Sequence, residues 1–130
     1  MLYLCDMRPL FAMLGLLLCL IAARADELPV IKDSEAAQYV GEKVEVRGFV
    51  VSVTTSPLGT TFINFGREYP NQIFAGFIAA GSKRATVRWA ATLQGKIIGI
   101  TGTVELYQGK PEIKVLSMTQ IKGADSHPVQ

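Results

Sequence analysis

The spacing of apolar residues changes character along the chain, and each change marks a different element. Residues 10–23 are fourteen apolar or glycine positions in a row without a charge. From residue 43 the pattern becomes two-fold: Val44, Val46 and Val50 alternate with Glu45 and Arg47, the period of a half-buried strand. After Gly48 the alternation loosens, because Phe49, Val51 and Val53 are apolar as well. A glycine at such a point fits a bulge or sharp bend, so residues 43–55 are predicted to form one long, bent strand serving two sheet faces. Further strands are predicted over 60–65, 73–80, 96–107 and 112–118, the last extended by Ile121. In them Ile98, Ile100 and Val104 point one way, and Ile113 and Val115 face inward with Glu112 and Lys114 outward. Residues 33–40 read as a short helix: Asp33 or Ser34 caps it, Glu35 suits its first turn and Gly41 ends it. Its face of Ala36, Tyr39 and Val40 is predicted to pack on the sheet. Ser56, Pro57, Leu58 and Gly59 make a turn, and Gln108, Gly109, Lys110 and Pro111 a hairpin loop. Residues 81–94 carry both a helical and an alternating pattern, and an irregular or helical connection is expected there.

The uniform apolar run has its own meaning. Arg8 precedes it, and the small-x-small series Ala23, Arg24, Ala25 follows. Fourteen residues fall short of the roughly 20 that span a bilayer, and the three parts together make a secretory signal. Residues 1–25 are therefore expected to be a cleaved leader, 26–122 a single domain and 123–130 a disordered polar tail. The expected destination is periplasmic or secreted, with no stable membrane span after cleavage. Asp6 opposes the positive bias of such a leader, and translation from Met7 would remove it. Both cysteines, Cys5 and Cys19, lie in the leader, and Leu18 is not the small residue that a lipoprotein signal places before its cysteine. Without a disulfide, the exported domain must be stabilised by its core, and about 105 residues are enough to build one.

Two segments echo each other. Gly41, Val44, Val46, Gly48 and Val50 recur as Gly95, Ile98, Ile100, Gly102 and Val104 at the same spacing, as two strands with the same bend would require. Five strands, a bent first strand, a linking segment between the third and fourth and a hairpin joining the last two make the plan of an OB-fold, an all-β, partly open Greek-key barrel, here with a short N-terminal helix. Three stretches carry a closer likeness: residues 39–48 (from Tyr39 to Gly48), residues 62–70 (Phe62, Ile63, Asn64, Phe65, Gly66, Arg67, Glu68, Tyr69, Pro70) and residues 107–113 (from Tyr107 to Ile113). Over about residues 31 to 122 the chain resembles small exported bacterial OB-fold domains described as nucleic-acid-binding-like. The resemblance implies a binding function, by analogy of fold.

Charge tempers that implication. Without Arg8, Arg24 and Asp6 the chain keeps eleven basic and ten acidic residues, a net of +1, which is not the strongly basic footprint of many nucleic-acid proteins. The distribution is uneven, however: no acidic residue lies between Glu68 and Glu105, whereas Lys83, Arg84, Arg88 and Lys96 do. Lys83, Arg84 and Arg88 are thus candidates for phosphate contacts, with a plain solvated basic face as the structural counterpart. The single tryptophan, Trp89, either plugs one end of a barrel or lies in a groove, and the plug is preferred. Arg67 and Tyr69 follow the second strand, where an arginine meets phosphate in a bidentate way and a tyrosine stacks; a local Glu68 ion pair and a rigid turn are the structural counterparts. Tyr107, Gln108 and Lys110 sit in the loop that, with the loop between strands one and two, closes around ligands in OB-folds. Phe62, Phe65, Phe74 and Phe77 are expected in the core rather than as stacking platforms.

No catalytic residue is predicted. His127, the only histidine, falls in the tail, so neither an imidazole nor a thiol nucleophile system nor a zinc site is expected. A secreted OB-fold nuclease of the thermonuclease kind needs added helices and calcium-binding carboxylates, which the acid-free stretch cannot supply. The sequence therefore reads as an exported binding module without metal or cofactor, for single-stranded nucleic acid or another polyanion. The alternative is an envelope protein-interaction or stress-related domain that binds an envelope protein and no nucleic acid; an oligosaccharide, held by aromatics without basic residues, is a third class of ligand.

Overall fold

The computed structural model describes residues 27–123; the expected leader, and the tail beyond Gly123, lie outside the described residues. The chain enters along β1 (Val30–Lys32), turns through a 3₁₀ segment (Asp33–Tyr39) and runs into β2 (Lys43–Thr55). There follow β3 (Thr61–Phe65), β4 (Phe74–Ile78), helix α1 (Arg84–Ala91), β5 (Ile97–Thr103), β6 (Glu105–Tyr107), β7 (Lys110–Lys114), a second 3₁₀ turn (Met118–Gln120) and β8 (Ile121–Lys122). The ambiguous segment 81–94 is helical at its centre. The N-terminal helix is 3₁₀ rather than α. Lys32 occupies its N-cap position, in place of the expected Asp33 or Ser34, and donates its backbone N–H to Glu35 Oε1 at 3.3 Å. Of the expected packing face, Ala36 is buried and Tyr39 packs against the core, while Val40 is 43% exposed.

β2 serves two partners, as its changing pattern predicts. Its first half pairs antiparallel with β5, from Lys43 opposite Thr103 to Phe49 opposite Ile97. Its second half pairs with β3, with a register irregularity between Val50 and Ser52. The irregularity thus falls at Val51, not at Gly48. Gly48 answers a different need: a Cβ there would lie 2.6 Å from Asp33 Oδ2 and 2.9 Å from Phe65 Cδ1.

The hydrogen-bonded order is β6-β7-β4-β3-β2-β5-β8, with β1 added parallel to β2. β4 and β7 run parallel, and β6 and β7 form an antiparallel hairpin. The architecture is all-β-like and OB-like, and its hydrogen-bonded path is open. The strand expected over 96–107 is broken at Val104, because Val104 turns its backbone to another segment: its N–H donates to Glu42 O at 3.1 Å and its carbonyl accepts from Gly41 N at 2.8 Å. Between β5 and β7 a side chain stands in for a ladder. Gln120 Nε2 donates to Thr101 O at 3.0 Å and Lys114 O at 2.9 Å, and its Oε1 accepts from Leu116 N and Ser117 N at 2.7 and 3.0 Å. Ile121 does not extend β7, as expected from sequence, but pairs with Ile100 in β8.

The internal echo is a local two-fold. Val46 pairs with Ile100, its own counterpart in the repeat. Gly41 N bonds Val104 O at 2.8 Å, and Gly95 N bonds Val50 O at 2.8 Å. Gly48 stands opposite Ile98, and Gly102 opposite Val44. Inside lie Val44, Val46, Val50, Ile63, Phe65, Phe74, Ile98, Ile100 and Ile113, with Trp89 packed against them. Glu45 departs from the predicted outward alternation. It is 4% exposed, laid over Gly99, where a Cβ would be 3.0 Å from its Cδ, and paired with Arg47 at 2.6 Å and Lys122 at 3.7 Å. Among the described residues no helix is long and apolar enough to cross a membrane.

Candidate functional site

Strand alternation divides β3, β4 and β7 into two faces. Ile63, Phe65, Ile78 and Ile113 go to the core. On the other face Phe62 stands opposite Phe77, which is opposite Lys114; Asn64 stands opposite Ala75, which is opposite Glu112. The loop of residues 66–73 folds over this second face. Tyr69 stacks on Phe62 with ring centroids 5.6 Å apart and planes at 26°, and Phe62 meets Phe77 edge-on at 5.8 Å. Lys110 Nζ donates to Pro70 O and so ties the β6–β7 hairpin to the loop. The result is a cavity of about 50 Å³ lined by Phe62, Tyr69, Pro70, Gln72, Ala75, Tyr107, Gln108, Lys110, Pro111 and Glu112.

This cover explains an unusual burial of polar groups. Asn64 is fully buried, and Gln72 and Glu112 are 8% and 6% exposed, so the outward placement expected for Glu112 holds for the strand face but not for solvent. Asn64 Nδ2 donates to Ser52 Oγ at 3.2 Å and Thr54 Oγ1 at 3.1 Å. Asn64 Oδ1 and Gln72 Oε1 are buried without a hydrogen-bond partner among the described residues. Burial holds the Glu112 carboxyl above its usual range, helped by the charge of Glu105 and opposed by Lys114. Its folded form therefore binds a proton more tightly than the unfolded chain does. The stability this group contributes is complete below the ordinary carboxylate range and is lost as pH rises through the raised value. Glu112→Gln removes that titration. Relative to wild type it should be most favourable at about pH 7 and lose the advantage at about pH 3.5, below the ordinary glutamate value. Urea unfolding at the two pH values checks this; a difference independent of pH contradicts it.

The candidate residues divide into groups. Tyr69, Tyr107 and Lys110, with Gln108, meet at the cavity. Lys83 borders a second concave surface with Ser82, Leu116 and Met118. That surface shares Ser82, Val115 and Leu116 with a hollow that also contains Phe77 and Lys114. Arg84 and Arg88 are exposed one turn apart on α1, and Arg67 is exposed in the covering loop. None of Lys83, Arg84, Arg88 and Arg67 makes an ion pair among the described residues. Trp89 is half-buried and packs against the core. Of the four phenylalanines expected in the core, Phe65 and Phe74 are there, packed edge-on at 5.1 Å; Phe62 and Phe77 lie on the covered outer face. Gln72 lines the cavity without any signal in the sequence, and Phe62 was concealed by its place in a strand. No group of three or more His, Cys, Asp or Glu side chains among the described residues is placed to hold a metal ion.

No protein-family model matches the chain, and no curated protein matches it. Among solved structures it is similar to "Crystal structure of a putative aspartyl-tRNA synthetase from Leishmania major Friedlin", with 15% identity and a TM-score of 0.47. The match covers 74% of this chain and 20% of that one; the chain thus spans about a fifth of that protein's length.

Proposed function

We propose that the chain is an exported binding module, not an enzyme, built as an OB barrel in which β5 and β6 act as one strand, and that its ligand is single-stranded nucleic acid or another polyanion. The observation that carries this reading is the continuity of aromatic and basic side chains over β4 and β7. Tyr107, Lys110 and Tyr69 meet at the cavity. Tyr69 stacks on the buried Phe62, which meets Phe77 edge-on, and Phe77 shares a hollow with Lys114 and Ser82 that adjoins the surface of Lys83 before α1. Bases stack on aromatic faces while cations follow the backbone. Lys83 borders the basic end of this track, and Arg84 and Arg88, exposed on α1 and like Lys83 without an ion pair among the described residues, add positive charge nearby in sequence.

Fluorescence titration of labelled single-stranded DNA and RNA at low salt tests the reading. Each phosphate contact contributes about −0.7 to the slope of log affinity against log salt. Replacing Lys83, Arg84 and Arg88 together by Ala should flatten the slope by about 2, by the same relation, and weaken all sequences alike, because phosphate contacts carry no base information. Tyr69→Ala with Tyr107→Ala should weaken binding with little change of slope. Absence of binding, or an unchanged slope in the triple variant, would contradict the proposal. The second reading, an envelope protein-interaction domain, is favoured by the net charge of +1 and by Leu116 and Met118, 86% and 44% exposed beside Phe77. It leads if neither nucleic acid binds.

A further inference from the structure

We propose that the cavity beneath the 66–73 loop reads the exocyclic amino group of a nucleobase, so that cytosine is bound in preference to uracil. The inference rests on the single-strand reading above and specifies which bases that site selects. Its basis is an orphan acceptor. Gln72 lines the cavity, is 8% exposed, and its Oε1 is buried without a hydrogen-bond partner among the described residues. A buried acceptor left unpaired is costly, so a ligand that brings an N–H to it is favoured over one that does not. The carboxyl of Glu112 lines the same cavity and, when ionised, adds acceptors and no donor.

Three further features narrow the ligand. Tyr69 and Tyr107 are 51% and 50% exposed at the rim, which leaves ring area on which a flat group can stack. The cavity, about 50 Å³, takes a group the size of a water molecule, whose share of liquid is about 30 Å³. An amino edge enters it; a whole base does not. Lys110 lines the same space with its ammonium held on Pro70 O. That charge repels an ammonium or guanidinium ligand and stands ready for a neighbouring phosphate. A neutral N–H donor on a phosphodiester chain satisfies all three. Cytosine presents its 4-amino group, whereas uracil presents a carbonyl oxygen there, which would set acceptor against acceptor.

Oligocytidine and oligouridine of matched length are the decisive probes, because they share ring size and phosphate charge. Titrated at low salt and near-neutral pH, the unaltered protein should bind oligocytidine about tenfold more tightly, within the usual discrimination of a hydrogen-bonded base contact. Gln72→Met, which keeps volume and removes the acceptor, should abolish the preference, lowering affinity for oligocytidine and raising that for oligouridine as the acceptor–acceptor clash is relieved. Equal binding of both oligomers by the unaltered protein overturns this inference while leaving the single-strand reading intact. Binding of neither overturns both. A cytidine preference that persists in Gln72→Met overturns the assignment to Gln72. The comparison on the unaltered protein decides the matter even if the variant does not fold.

Discussion

Ile100→Ala is expected to destabilise the fold by about 2–5 kcal/mol, the range for truncating a large buried aliphatic residue. Ile100 is fully buried. It sits in β5 between Val46 of β2 and Ile121 of β8, and its Cδ1 reaches the backbone of β4, where a Cβ on Gly76 would lie only 2.7 Å away. One side chain thus joins four strands, and hydrogen-bonded ladders on both sides keep the vacated space from collapsing. Urea unfolding measures the loss, and a value below about 1 kcal/mol would place Ile100 outside the core. The contact with Gly76 adds a sharper test. Gly76→Ala should be destabilising alone and markedly less so beside Ile100→Ala, because close neighbours are not additive.

Gly102→Ala should cost about 1–3 kcal/mol by overpacking. A Cβ at this position would stand 2.4 Å from Ile113 Cγ2. Ile113 is buried, and its β-branched side chain has little freedom at χ1, so β5 and β7 must move apart. That is the interface Gln120 clasps, so its hydrogen bonds should lengthen as well. Ile113→Leu removes the branch at Cβ, and in that background the added methyl should cost less. An equal cost in both backgrounds would show that Gly102 is required for another reason. Thermal unfolding of the two single variants and the double variant decides it.

Much of the fold is legible in the sequence where burial follows period. Val44, Val46, Val50, Ile98, Ile100 and Val104 are all buried, as their alternation predicts, and the repeated glycines mark a real two-fold. What the period hides is tertiary. Gly48 and Gly102 are glycines because Asp33, Phe65 and Ile113 approach them, not because the strand bulges there. Glu45 reads as a solvent-facing residue, yet Gly99 gives it room to lie down and Arg47 and Lys122 neutralise it. Strand pattern alone cannot show that a distant glycine and two cations permit such burial. The site was half visible for the same reason. Tyr69, Tyr107 and Lys110 announce themselves as aromatic and basic residues in loops, whereas Gln72, Phe62 and Glu112 acquire meaning only once the 66–73 loop covers the outer face of β3, β4 and β7. Lys83 was visible too, but its place on one concave surface with Ser82 and Leu116, next to the hollow of Phe77 and Lys114, is something nothing in the linear order connects.

The central claim, that one continuous face over β4 and β7 binds a single strand, is tested most directly by ¹H–¹⁵N correlation spectra of the purified protein titrated with a short single-stranded oligonucleotide at low salt. The account predicts the largest shifts at Tyr69, Gln72, Tyr107 and Lys110, continuing through Phe77 and Lys114 to Lys83, while Glu45, Arg47 and Lys122 on the β2–β5–β8 face stay in place. Spectra that do not change, or shifts centred on the Glu45 ion cluster, would contradict it.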